Sequence, residues 1–379
     1  MKTKKIISVI LAALILLQIS YTFAFAGDGY LDVTDFIEAN SGADVSDELQ
    51  KIIDENPNRV LFFPDGEYLL AKPIYTPADP TKSVSLKLSD FAILRATGEW
   101  QEGEAIVQLG GKDPYNTTSI PGSNYSLEGG VIDGSGVADG VSINSGRETA
   151  VRFTSIKNTV VGLHIMHGAN NGSSDADIYS INIMGNAKED SVGILLEGHD
   201  NTLSNIRIGA IHTGVIICSA GNVLRDIHPL WGAYEYDFMT SCGFLEECDG
   251  NLYDYCYSDQ FATGFRTTRN SKSVFTDCYC YWWSSENKDY TYTGFRADKK
   301  FDAKLINFRM GGLTRGCDNV VLSVGQSGGD GVIDNLVVEE NKMTSNLSYK
   351  AYEKSENIFG TIVKLFWKMV LPLIVAINK

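Results

Sequence analysis

Two residues of the segment GNVLRDIHP (residues 221–229) have side chains that can transfer protons, Asp226 and His228. A carboxylate and an imidazole two positions apart on one strand can act as acid, base or polar ligand contact. The same two residues also occur on inert protein surfaces, where the histidine only bonds to the carboxylate. The choice between these interpretations depends on the residues that the fold places beside this strand.

The segment is one copy of an internal repeat. The stretches that begin at Gly193, Gly214 and Gly243 share the first glycine, an asparagine eight residues later, and bulky residues ten and thirteen residues later. Five further copies, some of them weaker, begin at Gly264, Gly294, Ala150, Gly168 and Ser323. β-rich copies of roughly 20–30 residues are typical of a solenoid. The repeat predicts an all-β chain that folds as a right-handed parallel β-helix of eight coils.

The position of a residue within the repeat predicts its neighbours in space, because equivalent residues of successive coils stack about 4.8 Å apart. Position thirteen is expected to point inward, where Cys256 and Cys278 would act as small core residues. Positions twelve and fourteen then point outward by strand alternation. The column at position twelve contains Gly162, Ser180, Asn205, Asp226, Tyr255, Asp277, Asn307 and Asn335. The column at position fourteen contains His164, Asn182, Arg207, His228, Tyr257, Tyr279, Arg309 and Val337.

The two outward columns are rich in side chains that donate, accept or titrate, and they contain no lysine or glutamate. Successive coils offer contacts about every 5 Å, close to the length of one sugar residue, so a polysaccharide could lie across the coils. We expect the catalytic residues among four side chains, which are Arg207, Asp226, His228 and Asp277. We expect four others to bind the substrate, namely Tyr255, Tyr257, Tyr279 and Arg309.

Two insertions follow the position-fourteen strand on alternate coils, LWGAYEYDFM (230–239) and YWWSSENKDYTY (281–292). Both should emerge at the same edge of the outward face. We therefore expect Trp231, Trp282 and Trp283 to form an aromatic wall for substrate binding. The alternative is that the two loops pack on each other and cover the sheet.

The overall charge excludes several classes of partner. The formal net charge is −15, and it becomes −18 once the three lysines of residues 1–26 are left out. A nucleic acid or an anionic membrane needs a basic surface, so neither is expected as the main ligand.

The seven cysteines are an odd number, which leaves at least one unpaired, and the absence of a CxxC spacing argues against a structural zinc site.

The chain divides into four predicted segments. Residues 1–26 have the basic start, apolar run and Ala-Phe-Ala end of a signal peptide, so a secreted or cell-surface protein is expected. Residues 27–80 form an N-terminal cap and first strand, and residues 81–340 form the parallel β-helix. The tail, 341–379, contains an apolar stretch at 358–377 that two lysines interrupt. This favours an apolar helix that caps the solenoid or contacts a membrane surface over one that spans a membrane.

Residues 32–74, DVTDFIEANSGADVSDELQKIIDENPNRVLFFPDGEYLLAKPI, resemble the opening of the pectate lyase superfamily, in particular its rhamnogalacturonase and epimerase-like branch. Ser46 can cap a helix that runs to Asp54. The segment LEGGVIDGSG (127–136) resembles the entry of polygalacturonase-like chains into their regular coils. The resemblance implies a parallel β-helix that acts on or binds polysaccharide. The chain departs from the family at Ile37-Glu38, where Gly-Ala is usual, and it lacks the catalytic signature of polygalacturonases.

Three classes of function remain open for this sequence, namely a polysaccharide-cleaving enzyme with two possible routes, a glycan-binding module and a structural protein. Hydrolysis would use a pair of carboxylates, Asp226 with Asp277 or with the loop acids Glu235 and Asp237. Lyase or epimerase chemistry would instead use Arg207 as the cation with His228 or Tyr257 as the base.

A non-catalytic glycan-binding or cell-surface module could use the same face, and a tailspike-like structural protein would form a homotrimer.

SSDADIY (173–179) has two acids, too few for the six to eight oxygens of a calcium site. Calcium is therefore considered but not assigned, no metal ligands are predicted, and any cofactor is unknown.

Overall fold

The computed structural model describes residues 29–112, 126–167, 174–233, 237–282, 290–312 and 318–338, and the backbone of residues 346–348. The expected signal peptide (1–26) and the apolar stretch at 358–377 lie outside the described residues, and so does Trp283. Within the described part, the chain is a parallel β-helix built from two stacks of parallel strands with a single α-helix near its start.

The strands of the first half run in chain order as β1 (Tyr30–Asp32), β2 (Arg59–Phe63), β3 (Gly66–Leu70), β4 (Ile74–Tyr75), β5 (Val84–Leu88), β6 (Ala92–Ala96), β7 (Ala105–Leu109), β8 (Ser126–Glu128), β9 (Val131–Asp133), β10 (Asp139–Ile143), β11 (Ala150–Arg152), β12 (Ser155–Thr159), β13 (Val161–Ile165), β14 (Asp177–Tyr179) and β15 (Asn182–Gly185). Those of the second half are β16 (Val192–Leu196), β17 (Thr202–Ile211), β18 (Thr213–Ile217), β19 (Val223–Trp231), β20 (Cys242–Glu246), β21 (Leu252–Asp254), β22 (Tyr257–Asp259), β23 (Thr263–Thr267), β24 (Val274–Thr276), β25 (Tyr279–Tyr281), β26 (Thr291–Ala297), β27 (Lys304–Gly311), β28 (Asp318–Val324), β29 (Val332–Val338) and β30 (Asn346–Ser348).

One sheet has 11 strands and runs from β4 to β30 with one strand from each coil. The described residues therefore contain more coils than the eight that the repeat predicts. The other sheet has 19 strands and begins with β1, which pairs with β2, which in turn pairs with β5. The strands of residues 27–80 thus continue into the same stacks as the later coils. The right-handed sense of the coil stays a prediction.

The α-helix, α1 (Ser46–Glu55), packs its apolar face against the first coils. Leu49, Ile52 and Ile53 are buried. The helix begins and ends within a residue of the predicted range, but Ser46 is its first residue rather than its cap. The Asp44 carboxylate accepts from the Ser46 backbone N–H at 3.0 Å, and the Ser46 hydroxyl accepts from Ala71 at 2.9 Å. The expected C-terminal apolar helix lies outside the described residues.

The glycines at the first repeat position form a column in the 11-stranded sheet. Its members are Gly140, Gly162, Gly193, Gly214, Gly243, Gly264 and Gly294. A Cβ on Gly214 would lie 2.2 Å from the carbonyl oxygen of Gly243, and similar clashes recur along the column. The glycines are required because each one lies against the backbone of the next coil.

This column corrects the alignment of the first weak copy. Gly162 belongs to the glycine column, so the copy does not begin at Ala150. His164 consequently lies on β13, where it pairs with Leu195 of the 11-stranded sheet, and not in the column of Arg207. The sequence placed it wrongly because the connection from β13 to β14 is longer than the equivalent connections of the next two coils, which breaks the spacing of the repeat.

The residues at position twelve form a bend and not a strand face. Their φ angles lie between 48° and 60° at Ser180, Asn205, Asp226, Tyr255, Asp277, Asn307 and Asn335. This left-handed backbone divides the 19-stranded sheet into two faces, which corrects the expectation that positions twelve and fourteen share one flat strand. Asparagine and aspartate adopt this conformation more readily than most residues. We call this row of residues the corner.

The interior holds the expected columns of apolar side chains. Ile206, Ile227, Cys256 and Cys278 are fully buried, as the repeat predicts. Aromatic rings stack in the same direction: Phe244 lies 4.7 Å from Phe265, and Tyr253 lies 4.2 Å from Phe275. The six described cysteines are free thiols, and the four that are buried belong to this core.

An asparagine ladder marks one turn of the coil, at the asparagine that the repeats share eight residues after their first glycine. Asn222 Oδ1 accepts from the Asn201 backbone at 3.0 Å, and Asn251 Oδ1 accepts from the Asn222 backbone at 2.9 Å. The ladder continues to Ser273, whose hydroxyl accepts from the Asn251 backbone at 2.9 Å. Glu246 lies beside it, is 1% exposed, and accepts from Ser271 and Ser273 at 2.5 Å and from Asn251 at 2.9 Å. Burial raises the pKa of Glu246 despite these donors.

We expect Glu246→Gln to fold normally and Glu246→Leu to lose about 3 kcal/mol of unfolding free energy, because leucine leaves three buried donors unsatisfied. The pKa of Glu246 is higher in the folded state than in the unfolded state, so the wild type loses stability as the pH rises through the folded-state pKa. The glutamine variant has no titrating group at this position and does not show this loss. Urea unfolding at several pH values measures both effects. Equal stability of the leucine and glutamine variants would contradict this assignment.

Candidate functional site

A groove runs over the corner and the strand face beside it. One depression, of about 230 Å³, is lined by Arg207, Asp226, His228, Tyr255, Cys256, Tyr257, Asp277, Tyr279 and Arg309. A second, of about 440 Å³, shares Arg207 and His228 with the first and extends to Asn182, Met184, Leu230 and Trp231. We call the two together the groove. It contains all eight side chains other than tryptophan that the sequence predicts for catalysis or substrate binding.

Strand register explains why these residues meet. Arg207 pairs with His228 between β17 and β19. Tyr257 pairs with Tyr279 between β22 and β25, and Tyr279 pairs with Arg309 on β27. The residues at position fourteen therefore form one continuous row across the coils. The residues at position twelve, which form the corner, lie along one edge of this row.

Asp226 is engaged by Arg207. The guanidinium lies 3.3 Å and 3.5 Å from the two carboxylate oxygens, and it also donates to the backbone carbonyl of Asp226 at 3.2 Å. Both side chains are partly exposed, so the ion pair adds little to stability. Asp226 and His228 are thus not bonded to each other, in contrast to the simplest surface interpretation of the sequence.

His228 and two tyrosines form a stack of rings. The imidazole lies 4.1 Å from the Tyr257 ring at an angle of 20°, and Tyr257 lies 5.0 Å from Tyr279 at 24°. Tyr257 has a ring on each side, so it presents an edge and a hydroxyl to the groove and no face for a sugar to stack on. Tyr255, at the corner, is 65% exposed and can offer its ring face.

Asp259 is a member of the site that sequence reasoning missed. Its Oδ2 lies 3.5 Å from His228 Nε2, and its side chain is only 17% exposed. Burial and the charge of Asp259 raise the pKa of Tyr257, so the tyrosine stays protonated at neutral pH and is a poor base. Asp259 is two residues beyond Tyr257 on β22 and therefore shares its face. Extending the outward columns to position sixteen would have found it.

Asp277 and Arg309 are the charged residues of the groove that can contact a ligand without first breaking an ion pair. In the part of the chain that the structure describes, neither side chain has an ion-pair partner. Asp277 lies two coils from Asp226 along the corner, about 10 Å at the backbone. Arg207 and Arg309 are four coils apart on the same row.

Of the two insertion tryptophans that the structure describes, Trp231 lines the groove and Trp282 does not. Trp282 is 1% exposed, and its indole N–H donates to the Phe261 carbonyl at 2.6 Å, so it is a core residue and not a substrate contact. Trp231 lines the groove and packs edge-on against Phe238 at 4.8 Å. Phe238 also stacks on Tyr290 at 4.7 Å, so the described ends of the two insertions pack on each other.

Two further observations concern the residues that the structure describes. No group of three or more histidine, cysteine or acidic side chains in the described ranges could hold a metal ion. Among those same residues, no helix is long and apolar enough to cross a bilayer.

Comparisons with known proteins establish the fold. Neither protein-family models nor curated proteins give a match. Among solved structures, PfbA, a surface adhesin of Streptococcus pneumoniae, aligns with a TM-score of 0.51 and 11% identity over 86% of this chain and 96% of its own. The catalytic domain of a GH87 α-1,3-glucanase in complex with tetrasaccharides aligns with a TM-score of 0.51 and 10% identity, over 86% of this chain and 69% of its own.

A tailspike protein of the E. coli bacteriophage HK620, in complex with a pentasaccharide, aligns with a TM-score of 0.51 and 12% identity. That alignment covers 81% of this chain and 67% of the tailspike chain. The three proteins share the parallel β-helix with this chain. At such identities the likeness concerns the fold alone.

Proposed function

We propose that this chain is an exported carbohydrate-active protein of the pectate lyase superfamily, and that it binds a polysaccharide along the groove. The observation that carries the proposal is the gathering of eight polar and aromatic side chains from successive coils in one groove. Such a row repeats its contacts at about the spacing of sugar residues. Similarity in fold to proteins solved with tetrasaccharides and a pentasaccharide supports the same class of ligand.

The groove suits sugar hydroxyls and acidic groups. The guanidinium groups of Arg207 and Arg309 can donate hydrogen bonds to a ligand, and the rings of His228 and Tyr257 lie between them. Tyr255 supplies the exposed ring face on which a sugar can stack.

Hydrolysis is the second part of the proposal, and the freedom of Asp277 favours it. Asp226 is held by Arg207, while Asp277 has no ion-pair partner within the described ranges. A separation of about 10 Å at the backbone is close to the upper limit for the two carboxylates of an inverting glycosidase. A lyase route through Tyr257 is disfavoured because its pKa is raised, which leaves His228 as the base for that chemistry.

Binding is tested with Tyr255→Ala in affinity gels that contain plant, algal or bacterial polysaccharides. We expect the affinity to fall about tenfold, equivalent to 1.4 kcal/mol, because the exposed ring face is lost. Phe153→Ala is the matched control, since Phe153 is also an exposed corner aromatic, with φ 55°, and lies outside the groove. Equal retardation of both variants on every polymer would place glycan binding elsewhere.

The same polymers, with and without calcium, serve to separate the reactions. New reducing ends without unsaturated uronates indicate a hydrolase, and unsaturated products indicate a lyase. Binding without either product indicates a non-catalytic module. A trimer in light scattering would favour the tailspike-like alternative, and a secreted or cell-surface location follows from the predicted signal peptide.

A further inference from the structure

A second cavity, of about 480 Å³, lies away from the groove, where four successive coils turn into the 11-stranded sheet. We call it the corner-turn cavity. Its charged and aromatic lining consists of Glu99, Trp100, Glu102, Asp139, Lys188 and Asp190. None of these residues lines the groove. The volume lies within the range of small-molecule binding sites.

Asp139 is the unusual member of this lining. The residue is 4% exposed, and its Oδ1 accepts from the Val161 backbone N–H at 2.9 Å. Its second oxygen, Oδ2, has no hydrogen-bond partner in the described part of the chain although the residue borders the cavity. Oδ2 is not among the fully buried unpaired side-chain atoms of the described residues, so a cation or donor in the cavity can reach it.

The charges around Asp139 do not supply that cation. Burial raises the pKa of Asp139 to about 6, and the carboxylates of Asp190 and Glu102 act in the same direction. The Val161 N–H and the charge of His164 oppose the rise, but His164 is already paired with Glu197 at 2.7 Å.

The remaining lining is suited to a cationic ligand with an apolar side. Glu99, Glu102 and Asp190 are exposed, so the cavity mouth is acidic, and the exposed Lys188 can turn toward solvent. Trp100 is half-buried, with its indole N–H donated to the Thr97 carbonyl at 3.1 Å, which holds the ring in place. An aromatic ring can attract an ammonium group and pack on the face of a sugar.

We propose that the corner-turn cavity binds an amino sugar through its ammonium group, with Asp139 Oδ2 as acceptor and the Trp100 ring as the apolar wall. A sugar is favoured over a simple polyamine because the cavity combines the acidic mouth with a fixed indole. The site is separate from the groove and goes beyond the polysaccharide binding proposed there. The cation binds the ionised carboxylate, so binding releases the Asp139 proton from those molecules in which the carboxyl group is still protonated.

The test is calorimetric titration of the full chain with a glucosamine oligosaccharide between pH 4.5 and 6.0, where the amino group stays protonated. We expect the affinity to rise about tenfold over this range as Asp139 ionises. The matched ligand is the fully N-acetylated oligosaccharide, which has no charge and should bind at least tenfold more weakly at pH 6.0. Titrations in two buffers of different ionisation enthalpy measure the released proton.

Asp139→Asn keeps the acceptor for Val161 and removes the charge, so it should fold while losing at least tenfold in affinity and all of the pH dependence. Glu38→Gln removes one exposed acid outside the cavity and controls for the overall negative charge.

Equal binding by Asp139→Asn and wild type, or equal binding of the acetylated ligand, would overturn the proposal. Spermine binding with the same dependence on Asp139 and equal affinity would overturn the assignment to a sugar. Tyr255→Ala should leave the calorimetric affinity for the glucosamine oligosaccharide unchanged even if it loses groove binding. Failure of one proposal can therefore be distinguished from failure of the other.

Discussion

A single methyl group at Gly214 is expected to lower the free energy of unfolding by about 3 kcal/mol or more. The added Cβ would lie 2.2 Å from the Gly243 carbonyl oxygen and 2.6 Å from Pro229 Cβ. The clash involves the backbone of the next coil, which cannot shift without disturbing the strand pairing of β18 with β20. Overpacking against such a rigid neighbour falls at the severe end of single substitutions.

Urea unfolding of Gly214→Ala measures this loss, and Gly209→Ala is the control. A Cβ on Gly209 would meet only Met184 Sδ at 3.0 Å and Cε at 3.4 Å, the end of a flexible side chain. We expect the control to change the stability by less than about 1 kcal/mol. If both variants unfolded at the same urea concentration, the close stacking of the glycine column would be wrong.

Replacement of Asp277 by asparagine is expected to lower the rate of polysaccharide cleavage on the order of 10²-fold to 10⁴-fold, the usual contribution of a positioned acid or base. Binding should persist, because the residue keeps its size and its place at the corner. Reducing-end release and affinity-gel retardation, measured on the same polymer, separate the two effects.

Asp254→Asn is the matched control for Asp277→Asn. Asp254 is a strand aspartate that pairs with Arg225 at 2.8 Å and does not line the groove. Cleavage by this variant should equal that of the wild type. Full activity of Asp277→Asn would exclude it from the reaction. A wild-type protein that binds a polymer and releases no product would instead identify a non-catalytic glycan-binding module.

The repeat was sufficient to predict the groove because strand register is periodic. Arg207, His228 and Tyr257 occupy one repeat position, and parallel pairing places such residues on adjacent rungs. The same reasoning failed at His164, where an insertion of unequal length hides the true start of the copy. It also stopped one step short of Asp259, which lies on the predicted face at the next outward position.

Other features could not be read from a pattern, because they depend on how far side chains reach between coils. The indole N–H of Trp282 donates to the Phe261 carbonyl of a neighbouring coil, a partner that strand alternation does not predict. The stacking of Tyr257 between two rings likewise depends on the rotamers that neighbours allow.

The amino-acid pattern specifies the parallel β-helix, its core columns and the row of polar residues, since each follows from short-range periodicity and the regular rise of a coil. The three-dimensional arrangement specifies which charged side chains of the groove are held in ion pairs and which are not. Arg207 binds Asp226, His228 faces Asp259, and Asp277 is left without an ion-pair partner among the described residues. These choices arise from distances of a few ångströms across coils, where burial and charge act on each side chain separately.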